Sequence, residues 1–257
     1  MEYGDLSTTE LENHYNPRVS VKNYLKYLSA SLKKSKEAKR QLKYFSNIKY
    51  GKGLLQNLDI FGEKKDNLKP VHVFIHGGYW RALDKDYHAH MAINFNKRNI
   101  MFANINYDLC PKVSLAKICS QLEEAVKWLY NNIEYYGGNK KNITISGHSA
   151  GAFLASHLIN LDWSSYNLPK KIFCGAGLIS GIFELDIVKK ISVNNDINLT
   201  YSEINRLSTI SKTPTFDLPI SICFGEKEPL GWKYQSLKYY KFLKSKNFNV
   251  SLFTSLN

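Results

Sequence analysis

Apolar residues fall in short blocks separated by polar turns along most of the chain. The blocks 71–75 ("VHVFI"), 100–107 ("IMFANINY"), 142–147 ("NITISG"), 172–180 ("IFCGAGLIS"), 220–224 ("ISICF") and 249–254 ("NVSLFT") have the length and apolar content of strands. Between them, 86–97, 114–135, 150–160 and 232–246 carry helical spacing. In 114–135, Leu115, Ile118, Leu122, Val126 and Leu129 recur every three or four residues and mark one apolar face. Strands alternating with helices of this length predict an α/β fold, a mostly parallel central sheet with helices on both faces. Upstream, Ser7 and Glu10 form a capping-box signature, predicting a helix over about 8–14 that stops near Pro17. A second helical region covers 20–45, and two early strands are expected at 46–50 and 54–61, joined by the turn signal "GKG". No repeat, low-complexity tract or linker interrupts the pattern. The expectation is one domain over 1–257 with an N-terminal helical extension over about 1–45. The least regular stretch, about 181–215, is expected to be an insert or cap over one end of the sheet.

Composition narrows the partners. The 257 residues are 44% hydrophobic and carry a formal net charge of +13. Only five of the 35 basic residues are arginine, and the densest run, "LKKSKEAKRQLK" (32–43), sits in a helical pattern. Readers of base edges rely on arginine forks and interleaved aromatics, so a solvated helix face is the better reading, and no specific nucleic-acid partner is expected. No apolar run is long enough for a membrane helix, and the polar N-terminus lacks a secretory signal. Four scattered cysteines without a CxxC pair read as reduced thiols, and the expected location is the cytoplasm.

The chemistry concentrates at Gly147-His148-Ser149-Ala150-Gly151, a G-x-S-x-G between a predicted strand and a predicted helix. In that context it reads as a nucleophile elbow, which lifts Ser149 above the sheet at a helix N-terminus. The plain alternative is a glycine-rich turn with an incidental serine. An earlier strand ends in His76-Gly77-Gly78-Tyr79. In α/β-hydrolases this turn supplies oxyanion-hole donors, which assigns the N–H groups of Gly77, Gly78 and Ala150 to a developing O⁻. His76 then holds the loop, and His148 is a packing residue.

These segments resemble the arylformamidase (kynurenine formamidase) family of α/β-hydrolases, related to the hormone-sensitive-lipase-like esterases. The similar stretches are "LENHYNPR" (11–18), "HGGYWRALDK" (76–85), "NINYDLCPKVSL" (104–115), "SGHSAGAFLASHL" (146–158), "LISGIFEL" (178–185) and "EINRLS" (203–208). The resemblance implies hydrolysis of an N-formyl aryl amine, such as N-formylkynurenine, to formate and the free amine. It places an acid seven residues before a Gln-Ser pair, which selects Glu228 ahead of Gln235 and Ser236. Glu226 and Asp217 are weaker candidates, and a solvated loop carboxylate is the plain alternative for Glu228. The family's histidine lies in a loop after the last strand. All seven histidines here precede Glu228, and the sequence ends at "NVSLFTSLN". The expectation is a tail carrying that base, the weaker alternatives being a natively short chain or another base such as His88 or His90.

Tyr79 and Trp80 adjoin the proposed oxyanion hole, where they could flank a substrate ring or simply pack. Arg81 could pair with a substrate carboxylate or tie the loop to Asp84 or Asp86, the structural role being preferred. His88-x-His90 lacks further metal ligands at useful spacing, and no cofactor is required. Rival readings are a short-acyl carboxylesterase and a catalytically impaired binding protein on the same fold. A small aromatic formamide or ester is the expected partner, and a homodimer is left open.

Overall fold

The computed structural model describes residues 6–64 and 67–255. The chain opens with helices α1 (Thr8–Tyr15), α2 (Pro17–Ser20) and α3 (Tyr24–Gln41), then strands β1 (Tyr44–Lys49), β2 (Asn57–Phe61) and β3 (Lys69–Ile75). Helix α4 (Ala92–Asn96) leads to β4 (Met101–Ile105), α5 (Leu115–Asn132), β5 (Gly138–His148) and α6 (Ala150–Ile159). Strand β6 (Gly175–Ile179) is followed by three short helices, α7 (Asp186–Lys189), α8 (Asn194–Ile197) and α9 (Tyr201–Leu207). The chain then forms β7 (Ile220–Gly225), α10 (Leu230–Ser245) and β8 (Val250–Ser255).

The eight strands make one sheet in the order β1-β2-β4-β3-β5-β6-β7-β8. Pairs β1–β2 and β2–β4 are antiparallel, and the remaining pairs are parallel. This is the mostly parallel sheet anticipated from the alternating pattern, in the α/β-hydrolase arrangement that the motifs and the resemblance implied. Strands β2 and β4 are buried along their whole length, as a sheet covered on both faces requires. Helix α5 buries the five apolar positions that set its period. Helix α6 is nearly all apolar or small and is buried on every side, so it runs against the middle of the sheet.

Several boundaries depart from the sequence pattern for local reasons. The helical region expected over 20–45 breaks at Asn23, whose left-handed φ of 58° separates α2 from α3. The strand expected from residue 54 begins at Asn57, because Leu54 lies in a loop with 75% of its surface exposed. The helix expected over 86–97 is replaced by the 3₁₀ turns Lys85–Tyr87 and Ala89–Met91 and the short α4. Its backbone groups are captured from outside: Ser31 Oγ donates to Tyr87 O at 2.6 Å, and His90 N donates to Ser35 Oγ at 3.2 Å.

Beneath these turns lies a buried ionic cluster. The Asp59 carboxylate has no exposed surface and sits 3.0 Å from both Lys85 Nζ and Lys39 Nζ, while Asn47 N donates to it at 2.8 Å. Breaking a buried pair leaves an uncompensated charge in a poorly solvated site. Lys85→Met is therefore expected to destabilise the fold by about 3 kcal/mol, read as a lowered urea midpoint at unchanged m. Lys39→Met, whose ammonium is more exposed, should cost less. Of the four cysteines, Cys110 and Cys119 are buried and Cys174 is exposed, and all four are free thiols. Among the described residues, no helix is long and apolar enough to cross a membrane, and no group of three or more metal-ligating side chains occurs.

Candidate active site

Ser149 is the single residue between β5 and α6, with φ 57° and ψ −120°. A non-glycine residue reaches this region only when its surroundings dictate it. Here Ser149 N donates to Ile179 O at 2.8 Å, tying the elbow to β6. Close packing explains both flanking glycines. A Cβ on Gly147 would stand 2.1 Å from Gly151 O, and one on Gly151 would stand 2.1 Å from Ile75 O. The sharp bend thus forces G-x-S-x-G and turns the serine out of the sheet's C-terminal edge, where it lines a cleft with His148.

The loop after β3 packs directly on this bend. A Cβ on Gly77 would lie 2.8 Å from His148 O and 3.2 Å from the Ser149 Cβ. Gly78 has φ 114°, and a Cβ there would overlap Ala82 O at 2.0 Å. Among the described residues, the N–H groups of Gly77 and Gly78 have no hydrogen-bond partner. Ala150, the first residue of α6, presents a third N–H that a helix leaves unpaired. Gly77 therefore packs against the elbow, Gly78 lines the same cleft as Ser149, and the positive end of α6 begins at the residue after the serine.

Two aromatics follow the two glycines because they hold a strained backbone. Tyr79 and Trp80 both have positive φ, at 49° and 56°. The Tyr79 hydroxyl donates to Tyr15 O. Trp80 Nε1 donates to Ala150 O at 3.2 Å, and its ring meets Phe153 edge-on at 5.2 Å. Cys110 N donates to Trp80 O at 2.8 Å. Of the two rings considered as flanking a substrate, Tyr79 lines the cleft, whereas Trp80 has no exposed surface and packs behind the elbow. Arg81 pairs with Asp196, at α8, rather than with Asp84 or Asp86. His76 is fully buried, with Nδ1 2.7 Å from Gly77 O and its ring stacked on Tyr107 at 4.2 Å. Burial pushes its pKa down, so it braces the loop as a neutral ring.

Glu228 stands past the C-terminal end of β7, two strands from the elbow. Its Oε1 accepts from Ser180 Oγ at 2.6 Å and from Gly225 N at 3.0 Å. Its Oε2 is buried and has no hydrogen-bond partner among the described residues. Ser180, just past β6, is itself strained at φ 50°, and its N–H donates to Cys223 O at 2.7 Å. The rival acids Glu226 and Asp217 are both exposed. Strand β8 brings the chain to the same edge, where Glu226 N donates to Ser255 O at 3.1 Å.

The cleft over Ser149 has a volume of about 320 Å³. Its floor is Gly78, Tyr79 and Ser149, and its outer wall comes from the N-terminal helices through Arg18, Val21, Tyr24, Tyr27 and Leu28. Sequence reasoning missed this wall, because nothing local says which surface a short helix will cover. It missed Ser180 too, although the strand-end Ser-Gly of "LISG" was a visible signal. The wall is tied down by Glu12, whose carboxylate accepts from Asn16 Nδ2 at 2.8 Å and from Ser192 N in the segment between α7 and α8.

Known proteins resemble this chain in sequence and in fold. The BD-FAE family profile matches residues 58–171, from β2 through the elbow and α6. The kynurenine formamidase of Salmo salar is 29% identical over 94% of this chain and 84% of its own length. That of Danio rerio is 26% identical over 97% and 88%. Among solved structures, esterase B of Lactobacillus rhamnosis has a TM-score of 0.73 at 15% identity, covering 91% of this chain and 85% of that one. A candidate thioesterase from Silicibacter sp. reaches 0.81 at 21% identity, over 96% and 90%. At those identities the structural likeness speaks for the fold alone, while the formamidase likeness covers nearly the whole chain. The chain is a hydrolase with the α/β-hydrolase fold, similar along most of its length to the kynurenine formamidases.

Proposed function

We propose that this hydrolase cleaves an N-formyl aryl amine of the N-formylkynurenine kind through a formyl-Ser149 ester. The observation that carries the reading is Ser149 held at φ 57° beside Gly77 and Gly78, whose N–H groups have no partner among the described residues, on the floor of a cleft lined largely by apolar and aromatic side chains. Ser149 Oγ attacks the formyl carbon as its proton passes to a base. The carbonyl oxygen takes up the negative charge and is held by the N–H groups of Gly77, Gly78 and Ala150. Collapse breaks the C–N bond, and the base returns the proton to the departing aryl nitrogen. Water then attacks the Ser149 ester, releases formate and restores the hydroxyl.

Glu228 is the orienting acid of this scheme. Its Oε1 is occupied by Ser180 and Gly225, which leaves the buried Oε2 to accept from an imidazole N–H. The resemblance puts that imidazole in the loop following the last strand, and β8 reaches the sheet edge beside Glu226. The backbones of β5 and β7 lie roughly 10 Å apart across β6, a gap that the two side chains and one ring bridge. A formyl group is small, so the acyl side of the cleft can be tight. The departing ring faces Tyr79, Tyr24 and Tyr27.

The test is stoichiometry and preference. N-formylkynurenine should give formate and kynurenine one to one, with kcat/KM above that for p-nitrophenyl acetate. Turnover of the acetate with no formate released from the formamide would make the protein a short-acyl esterase.

A further inference from the structure

The cleft wall carries charge of one sign. Its lining residues include two arginines and no carboxylate. Arg81 is committed to Asp196 and lies largely buried. Arg18 is exposed, and its guanidinium has no acidic partner among the described residues. Its backbone is nonetheless fixed. Arg18 N donates to Asn16 Oδ1 at 3.2 Å. Asn16 is buried and donates from Nδ2 to Glu12 at 2.8 Å and to Ser192 Oγ at 3.4 Å. Pro17 restricts the first turn of α2 further. A free fork on an anchored stem, above apolar side chains, is suited to bidentate capture of a carboxylate.

We infer that Arg18 is a specificity-determining residue that binds the carboxylate of the leaving group, so the preferred substrates are aryl formamides that carry an acid. This rests on the proposed formamidase reading and specifies its substrate class. The cleft volume of about 320 Å³ is at the small end for ligand pockets, so a ring seated over Ser149 places its substituents against the wall that carries Arg18. The net charge of +13 adds a long-range field that draws anions toward the cleft.

The experiment compares the parent with Arg18→Gln and Arg18→Lys. The ratio of kcat/KM for 2- and 4-formamidobenzoate over that for neutral formanilide should fall about tenfold in Arg18→Gln, a typical loss for a charge-assisted contact. The change should appear mainly in KM, with partial recovery in Arg18→Lys, which keeps the charge and loses the fork. A ratio is taken within one sample, so partial unfolding cancels. Calorimetric titration with anthranilate reads the same contact without turnover, and its Kd should rise about tenfold in Arg18→Gln. Unchanged ratios, or an anthranilate Kd equal in parent and variant or too weak to detect in the parent, overturn the assignment. Loss of formamide hydrolysis beside normal ester turnover would sink the formamidase reading while leaving the anthranilate comparison to decide Arg18.

Discussion

Ser149→Ala should lose about 10⁴-fold or more in kcat with formamide and ester alike, and Ser149→Gly should lose as much while raising the unfolding temperature. The two variants separate chemistry from strain. Both remove the hydroxyl proposed to attack the acyl carbon. Alanine keeps a Cβ at φ 57° and ψ −120°, so it inherits the strained bend and should melt near the parent. Glycine enters this region freely and releases a strain of about 1–3 kcal/mol. Its greater freedom in the unfolded chain takes back about 0.4–1 kcal/mol. The net gain of about 1 kcal/mol corresponds to roughly 3 °C for a chain of this size. Calorimetric unfolding beside formate release checks both halves. Activity retained in Ser149→Ala would remove the serine from the mechanism. Glycine and alanine variants melting together would mean that the elbow is not strained.

The elbow was readable because its chemistry and its geometry need the same residues. Gly147 and Gly151 are required because a Cβ on either would stand 2.1 Å from a backbone oxygen, and those oxygens lie within one strand–turn–helix unit and its neighbouring strand. The sheet was readable because its strands are buried on both faces and so stand out as apolar blocks. Harder features depend on partners distant in sequence. The run 86–97 has helical spacing, yet Ser31 and Ser35 from α3 take its backbone groups and break it into short turns. Trp80 and Tyr79 looked equivalent beside the glycines. Only the left-handed course of residues 78–80 sends one ring to the cleft and the other behind the elbow. The candidate acid was narrowed to Glu228 by resemblance, but its restraint by Ser180, 48 residues away, has no signature in the local sequence.

That restraint decides what a change at Glu228 should do. In Glu228→Gln the side-chain oxygen can still accept from Ser180 Oγ and Gly225 N, so the loop after β7 keeps its shape. The amide then puts an NH₂ where Oε2 stands, turning a buried acceptor into a donor. An imidazole meeting that donor must present its lone pair to it, which leaves its other nitrogen protonated and unable to take the Ser149 proton. The negative charge that would stabilise the imidazolium is lost as well. Loss of about 10³–10⁴ in kcat is expected, with KM changed far less and the unfolding temperature within a few degrees of the parent. Ser180→Ala offers a graded counterpart: it removes one bond from Oε1 but keeps the carboxylate, and should reduce kcat about tenfold. If Glu228→Gln stays within tenfold of the parent in kcat, Glu228 is a structural carboxylate that closes the β7 turn, and the orienting acid must be sought elsewhere.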